Sequence, residues 1–318
     1  MNFYFAPLEG ITGYLYRNAY HTYFHPMDKY FSPFISTNQN GKLSNKELND
    51  ILPEHNKGMI LVPQLLSNNA THFIQTSKEI KQLGYNELNL NLGCPSGTVV
   101  SKGKGSGFLA KKEELNAFLE EIFTASITKI SVKTRIGKVS PDEFYDLIEI
   151  YNQYPMEELI IHPRIQTDFY KNKPNHDIFR EAMVLSKNPV CYNGDIFSRD
   201  GYNAFSNQFQ SVDTIMLGRG MLTNPGLVSA ITKDSKLDKT VLKEFHDRIY
   251  QDYKGQLFGD RNVLFKMKEL WFYMIQMFSN HEKYFKKIKK SERLCDYDDI
   301  VTKLFHEQEI IQSKEYSK

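Results

Sequence analysis

The feature of this sequence that most constrains its fold is an alternation of short apolar runs with longer amphipathic stretches, from the N-terminus to about Leu227. Several intervening stretches carry apolar residues at helical spacing, including 69–83, 113–125 and 141–151. The candidate strands are 2–6, 30–35, 59–65, 87–92, 129–133, 158–161, 189–192 and 214–217. Eight strands alternating with helices are typical of an α/β fold of the (β/α)8, or TIM, barrel type. The alternative on the pattern alone is an open doubly wound sheet.

After Leu227 the strand pattern stops, and long helical stretches follow at 241–253, 263–278 and 300–309. We therefore predict a catalytic barrel domain over residues 1–232 and a small all-helical domain over residues 238–318. Five lysines lie within residues 283–290, which makes this domain a candidate for binding a polyanion.

Composition excludes several classes of protein. The 318 residues carry a net charge of +2. The sequence contains no run of about 18 apolar residues, so we expect no membrane span. The N-terminal residues lack the basic and apolar regions of a secretory signal. The three cysteines are far apart and form no CxxC pair, so we expect no zinc or iron–sulfur site. We expect a cytoplasmic monomer without a metal.

Polar or unusual residues follow the predicted strands directly. In a barrel, the carboxyl ends of all strands lie on one rim, where active sites are built. We therefore expect these residues to share one site. They are Pro7, Leu8, Glu9, Gln64, Cys94, Lys133, Arg135, His162, Arg164, Asn193, Gly194, Asp195, Gly218 and Arg219.

The segment from Leu88 to Ser96 is the most specific local pattern. It alternates apolar and amide side chains, including Asn91, and then delivers Cys94 at the end of the strand. A glycine- and lysine-rich segment follows, and we predict it to be a mobile basic loop that carries Lys102 and Lys104 toward a substrate. A lone cysteine is often only a small buried residue, so Cys94 gains its significance from the surrounding pattern.

Two further features favour a cofactor. The turns at 193–195 and 218–220 follow the last two strands, where barrels often bind phosphate. Lys133 lies within a buried-strand pattern, where a lysine is costly unless it is paired with an anion. It could stabilise a reduced flavin, and Gln64 could bind a flavin pyrimidine edge. His162 could also bind the cofactor, and Arg135 and Arg164 could face an anionic substrate.

The chain resembles the tRNA-dihydrouridine synthase family. The resemblance rests on segments that occur in family order from the first strand to the eighth, and the cysteine segment is the most specific of them. They are APLEG at 6–10, VPQL at 62–65, LNLGCPS at 90–96, VKTRIG at 132–137, IHPR at 161–164, NGD at 193–195 and GRG at 218–220. Pro163 departs from the family pattern, in which glycine is usual between the histidine and the arginine.

The resemblance implies an FMN-binding barrel followed by a helical tRNA-binding domain. It implies that Cys94 donates a proton to uracil C5 and that FMN is reduced by NADPH or NADH. Asn91 would lie beside the flavin and the target base. The FMN contacts implied in this way are Pro7, Leu8, Glu9, Gln64, Lys133, His162, Asn193, Gly194, Asp195, Gly218 and Arg219. The candidate tRNA contacts are Lys102, Lys104, Arg135, Arg164, Lys286, Lys287, Lys289 and Lys290.

Two other functions remain open from the sequence. One is a flavin barrel that acts on a small molecule, in the manner of a dihydroorotate dehydrogenase, but it would not explain the basic helical domain. The other is a flavoprotein that binds tRNA without modifying it, and the presence of Cys94 argues against it.

Overall fold

The computed structural model describes residues 1–311. The strands are β1 Asn2–Phe5, β2 Lys29–Phe31, β3 Ile35–Ser36, β4 Leu61–Val62, β5 Gln64–Leu66, β6 Glu87–Leu92, β7 Lys129–Gly137, β8 Leu159–Ile165, β9 Val190–Tyr192 and β10 Thr214–Leu217. The helices are α1 Tyr14–Tyr23, α2 Asn45–Ile51, α3 Ala70–Gln82, α4 Gly97–Val100, α5 Lys112–Thr124, α6 Glu143–Tyr151, α7 His176–Leu185, α8 Arg199–Gln208, α9 Arg219–Thr223, α10 Leu227–Lys233, α11 Lys239–Gln256, α12 Asp260–Met274, α13 His281–Lys290 and α14 Leu294–Glu307.

The strands form one parallel sheet in the order β3-β5-β6-β7-β8-β9-β10-β1-β2-β4. The segments β4 and β5 are separated only by Pro63, so together they count as one strand of the barrel. Because β4 is the last strand in this order and β5 is the second, this shared strand closes the sheet into a barrel. The Pro63 carbonyl still accepts a hydrogen bond from Asn89 N at 2.9 Å. The predicted (β/α)8 barrel is thereby confirmed, with β2 and β3 together at the second strand position.

Side chains from several strands fill the barrel interior. A buried cluster joins Tyr4, Ala6, Phe31, Val62, Ile160, Cys191 and Met216. Burial raises the pKa of the Cys191 thiol well above its usual value, so this cysteine stays neutral and serves as a core residue.

A charged group lies near the amino ends of the strands. Lys29 Nζ donates to Glu87 Oε2 at 2.7 Å, and Glu158, just before β8, is buried. Burial raises the pKa of Glu158 to about 7, although the nearby charge of Lys29 opposes the rise.

The chain divides into two compact units. The first comprises Met1–Pro7, Asp28–Asp195 and Phe209–Met216, and the second comprises Leu8–Met27, Ile196–Gln208 and the chain from Leu217 onward. The second unit contains the helices α10 to α14, so the predicted helical C-terminal region is confirmed. The domain boundary between 232 and 238 stays a prediction.

Candidate active site

A ladder of amide side chains lies across β5, β6 and β7. Gln64 Nε2 donates to Asn89 Oδ1 at 2.8 Å, and Asn91 Nδ2 donates to Gln64 Oε1 at 2.7 Å. Asn89 Nδ2 in turn donates to Ser131 Oγ at 3.0 Å. The Gln64 oxygen and nitrogen each make one of these bonds. Among residues 1–311, one N–H and one acceptor position of that amide therefore remain for another group.

Asn91 connects this ladder to Cys94. Its Oδ1 accepts the backbone N–H of Gly93 at 3.0 Å and that of Cys94 at 2.9 Å. One amide therefore fixes both the turn after β6 and the orientation of Gln64. Cys94 itself is partly exposed, as a group that reacts with a substrate must be.

The segment after Cys94 corrects the prediction of a mobile loop. It forms α4 and a 3-10 turn at Gly105–Ala110, and the first five residues of that turn are buried. Ser106 donates from Oγ to the Cys94 carbonyl at 2.8 Å and from its backbone N at 3.1 Å. Gly105 has φ +56°, and a Cβ there would lie 2.8 Å from the Cys94 carbonyl oxygen. The glycines of this segment thus permit close packing against the cysteine.

Lys133 lies beside Asn91 in the β6–β7 register. It is partly exposed, and within residues 1–311 its ammonium makes no hydrogen bond or ion pair. Burial, assisted by the positive charge of Arg135, lowers the pKa of Lys133 to about 8. Such a group fits the anionic part of a cofactor, since an anion would stabilise the ammonium in this buried position.

Arg135 is directed into the protein. Its side chain is 1% exposed, and it donates to the carbonyls of Gly93 at 3.0 Å, Ile165 at 2.7 Å and Phe169 at 2.8 Å. Tyr170 covers the guanidinium, 5.5 Å from the ring centre. These bonds tie the turn before Cys94 to the segment after β8. Arg135 therefore acts as a structural tie in this arrangement, and its contact with tRNA stays a prediction that the burial does not favour.

Arg164 is also buried, and it connects His162 with Asp195. Its Nη1 lies 2.9 Å from His162 Nε2 and 3.0 Å from Asp195 Oδ1, and its Nη2 pairs with Asp195 Oδ2. Because a guanidinium can only donate, Nε2 of His162 must accept, which places the imidazole proton on Nδ1. Arg164 thus faces Asp195 and His162, whereas the sequence suggested that it faces a substrate. Its contact with tRNA also stays a prediction.

The turn after β9 is explained by packing. Asn193 Nδ2 donates to the Met216 carbonyl at 2.8 Å. A Cβ at Gly194 would lie 2.0 Å from the hydroxyl of Tyr192, and that hydroxyl is 3.0 Å from His176 Nε2. Glycine is therefore required at 194 whether or not a phosphate binds there.

The remaining cofactor candidates are Pro7, Leu8, Glu9, Gly218 and Arg219. Pro7 belongs to the first unit, where it ends the segment Met1–Pro7, and the other four belong to the second unit. In the second unit, Leu8 N donates to Thr12 Oγ1 at 2.7 Å, and the Gly10 carbonyl next to Glu9 accepts from Lys266 at 2.7 Å. Gly218 precedes α9, and the Arg219 guanidinium lies 5.4 Å from the ring centre of Phe197.

Of the lysines expected to contact tRNA, Lys102 is exposed and Lys104 is partly exposed. Burial and the charge of Lys102 lower the pKa of Lys104. On α13 the helix turns Tyr284 and Ile288 inward, and the lysines of that helix face solvent. The exposed lysines there include Lys286, Lys287, Lys289 and Lys290.

The structure therefore brings Gln64, Asn91 and Lys133 together on the adjacent strands β5, β6 and β7, with Cys94 in the turn just after β6. These groups combine a proton donor, an amide that can bind a planar ring edge and a cation for an anion. Sequence reasoning missed Ser106 and Tyr170. The small-residue pattern Gly105-Ser106-Gly107 was the one available signal for close packing there.

No helix within residues 1–311 is long and apolar enough to cross a membrane. In the same range, no three or more His, Cys, Asp or Glu side chains group as metal ligands.

Comparison with known proteins gives a family. The model of a family described as dihydrouridine synthase (Dus) matches residues 4–315. A probable tRNA-dihydrouridine synthase 2 of Bacillus subtilis (strain 168) is 27% identical over 269 residues, covering 80% of this chain and 79% of its own. A probable tRNA-dihydrouridine synthase of Staphylococcus aureus (strain N315) is 26% identical over 239 residues, covering 70% of this chain and 69% of its own.

Solved structures show a similar fold at low sequence identity. Morphinone reductase in complex with tetrahydroNAD matches with a TM-score of 0.53 and 11% identity, over 74% of this chain and 88% of its own. A variant of NCR from Zymomonas mobilis matches with a TM-score of 0.51 and 15% identity, over 77% of this chain and 90% of its own. At these identities the similarity concerns the fold alone.

Proposed function

The chain belongs to the dihydrouridine synthase family, and we propose that it reduces the C5–C6 double bond of specific uridines in tRNA. The observation that carries this proposal is the placement of Cys94. It is partly exposed at the end of β6, and Asn91 and Ser106 hold it beside Gln64 and Lys133.

FMN is the proposed cofactor, and the residues at the site fit it. Within residues 1–311 the ammonium of Lys133 is unpaired, which suits the anionic edge of a reduced flavin. In the same range the Gln64 amide keeps one N–H and one acceptor position, which suit the pyrimidine edge. Arg164 holds His162, a proposed FMN contact, in the tautomer that carries its proton on Nδ1. The other proposed contacts are Pro7, Leu8, Glu9, Asn91, Asn193, Gly194, Asp195, Gly218 and Arg219.

When bound and reduced by NADPH or NADH, FMN supplies the hydride for C6 of uracil. C5 then needs a proton, and we assign its donation to Cys94. An ordinary thiol has a pKa of about 8.5, so most of it carries its proton at neutral pH and can donate it. The hydride and the proton together saturate the double bond.

We propose tRNA as the partner because the family and its named relatives point to it, and because both units carry exposed lysines that could contact phosphate. These include Lys102 beside the cysteine segment and the lysines of α13. A target base must leave its stack to reach a site at the end of a barrel, at a cost of a few kcal/mol.

The test is reconstitution from purified components. We expect the protein to bind FMN non-covalently and to show a flavin spectrum. NADPH or NADH should then bleach it, and an unmodified tRNA transcript should both restore the colour and acquire dihydrouridine. A protein that gains no flavin spectrum on adding FMN would contradict the proposal.

A further inference from the structure

Helix α12 carries two exposed aromatic rings on one face. Phe265 is 59% exposed and Phe272 is 56% exposed. Together with Arg261 and Lys268 they lie at spacings of four, three and four residues, which is one stripe along a helix. We call these four residues the aromatic stripe. Single exposed apolar residues are common on protein surfaces, but two phenylalanines that alternate with basic residues on one face are a specific arrangement.

The neighbouring helix α13 extends this surface. The rings of Phe272 and Phe285 have centroids 6.2 Å apart, and the ammonium of Lys289 lies 5.4 Å from the Phe285 ring centre. Lys268 is fixed by its bond to the Ser291 carbonyl at 2.6 Å. The rings are therefore held by two packed helices and bordered by cationic groups.

A cavity of about 520 Å³ opens beside the stripe. Arg261, Phe265 and Lys268 line it, together with the acidic Glu292 and the neutral Asn262, Leu264 and Ser291. This volume lies within the range of pockets that accept small ligands, so it can admit a single planar base.

The charge around the stripe favours a polyanion. Residues 260–290 contain eight Lys or Arg and three Asp or Glu. Proteins that hold unpaired nucleic acid combine a basic surface with aromatic rings on which bases stack. Phenylalanine has no hydrogen-bonding group in its side chain. Stacking on it therefore uses the flat face that every base has and does not depend on which base is bound.

We propose that the aromatic stripe stacks an unpaired base of the RNA substrate while the neighbouring lysines contact phosphate. This inference rests on the proposed function, since it takes tRNA as the substrate. It adds a non-electrostatic contact in the helical region, made to a base that is not the one reduced.

The test uses full-length protein in which Phe265 and Phe272 are both replaced by Leu, and each singly. Leucine keeps the apolar volume but removes the aromatic face. Alanine substitution of a stacking aromatic side chain costs about 1–3 kcal/mol per base, and leucine retains part of the apolar contact. We therefore expect affinity for an unmodified tRNA transcript to fall by at most roughly 5- to 150-fold. The slope of the logarithm of tRNA affinity against the logarithm of salt concentration should stay unchanged, because every basic side chain that pairs with phosphate is retained. Affinity for a fully paired RNA duplex should also stay unchanged.

Phe258→Leu is the matched control, since Phe258 is 97% exposed and lies before α12. Thermal unfolding and flavin content check that each variant folds, and the single variants serve if the double variant does not. Unchanged tRNA affinity in the leucine variants, with a wild-type protein that forms dihydrouridine, overturns this inference alone. A wild-type protein that neither binds tRNA nor forms dihydrouridine overturns the proposed function as well.

The aromatic stripe could instead be an interface between two copies of this chain, and a measurement of self-association tests that alternative. If wild-type protein dimerises, replacement of both Phe265 and Phe272 by Ala makes it monomeric, and tRNA affinity is unchanged, then the stripe is an interface between copies of this chain. That result also overturns the inference. Sedimentation velocity with and without tRNA distinguishes it.

Discussion

At the scale of single residues, Asn91 fixes the position of Cys94. Its oxygen holds two consecutive backbone N–H groups of the turn, and its nitrogen is committed to Gln64. The amide cannot rotate by 180° without losing all three bonds, because its oxygen cannot donate and its nitrogen cannot accept. The proposed proton donor, Cys94, and the proposed flavin contact, Gln64, are therefore positioned by the same side chain.

Cys94→Ala should abolish dihydrouridine formation but leave FMN content and the rate of flavin reduction by NADPH unchanged. The reason is that the thiol is needed only when C5 receives its proton. Cys295→Ala is the control, because Cys295 is an exposed cysteine of the second unit. Flavin spectroscopy and nucleoside mass spectrometry measure the two half-reactions separately. Normal turnover in Cys94→Ala would assign proton donation to another group.

Lys133 predicts a pH dependence of cofactor binding. Its pKa of about 8 means that the ammonium is charged below this pH and loses its proton above it. If it faces an anionic part of FMN, affinity for FMN should fall as the pH rises through about 8. Lys133→Met should bind FMN more weakly at neutral pH and show no such fall. Quenching of flavin fluorescence gives the affinities, and a wild-type affinity that is constant across this range would contradict the assignment.

The sequence was enough to predict that Lys133 lies on a buried strand and that Cys94 follows one, because both positions follow from the apolar runs next to them. They were not enough for Arg135 and Arg164. An arginine two residues beyond a strand-end lysine or histidine can face a substrate or turn inward. The choice depends on carbonyls and carboxylates that come from distant segments, such as Phe169 and Asp195.

At the scale of elements, the segment from α4 to the turn at Gly105–Ala110 is the support of the cysteine. A Cβ at Gly105 would meet Val99 as well as the Cys94 carbonyl, at 2.9 and 2.8 Å, in a backbone conformation that favours glycine. Gly105→Ala should therefore destabilise the segment and reduce turnover, while FMN reduction continues.

Gly97→Ala is its control, because a Cβ there has no neighbour within 4 Å. Hydrogen exchange of residues 94–110 measures the local effect, and we expect faster exchange only in Gly105→Ala. Equal exchange and equal turnover in the two variants would show that this segment does not position Cys94.

Helix α13 predicts a salt-dependent interaction with RNA. Replacing four of its exposed lysines by Gln should weaken tRNA binding and flatten its salt dependence, by about 0.7–0.9 in slope for each phosphate that no longer pairs with a lysine. The variant replaces Lys286, Lys287, Lys289 and Lys290, and the control replaces Lys42, Lys57, Lys78 and Lys187, which are exposed on the first unit. FMN binding should not change in either. An unaltered slope in the α13 variant would place the RNA-binding surface elsewhere.

The strands were predictable because a buried parallel strand is a short apolar run, and all eight runs coincide with strands. The segment after Cys94 was not, because its glycines and lysines have the composition of a loop. Its order depends on Ser106 and on backbone atoms of Cys94 that the chain returns to contact.

At the scale of the whole molecule, Glu158 links stability to pH. Its pKa is raised from 4.5 to about 7 in the folded protein. The unfolded chain therefore ionises this carboxyl first, and stability falls as the pH rises from about 4.5 to about 7. Glu158→Gln should remove this loss and raise stability above pH 7 by up to about 3 kcal/mol.

At low pH, where Glu158 is protonated in both states, the substitution should have little effect. Thermal unfolding at acidic pH and above pH 7 measures the difference. An equal effect of Glu158→Gln at both pH values would show that the carboxyl is not held neutral by the fold.

The central claim is that this chain makes dihydrouridine in tRNA with Cys94 as proton donor. The most direct measurement is mass spectrometry of nuclease fragments of tRNA, which locates each dihydrouridine, from cells that lack the gene and from the same cells complemented with the wild-type gene or with Cys94→Ala. We predict that at least one dihydrouridine position reverts to uridine, returns with the wild-type gene and does not return with Cys94→Ala. A tRNA pool with every dihydrouridine intact in the absence of the gene would contradict the account.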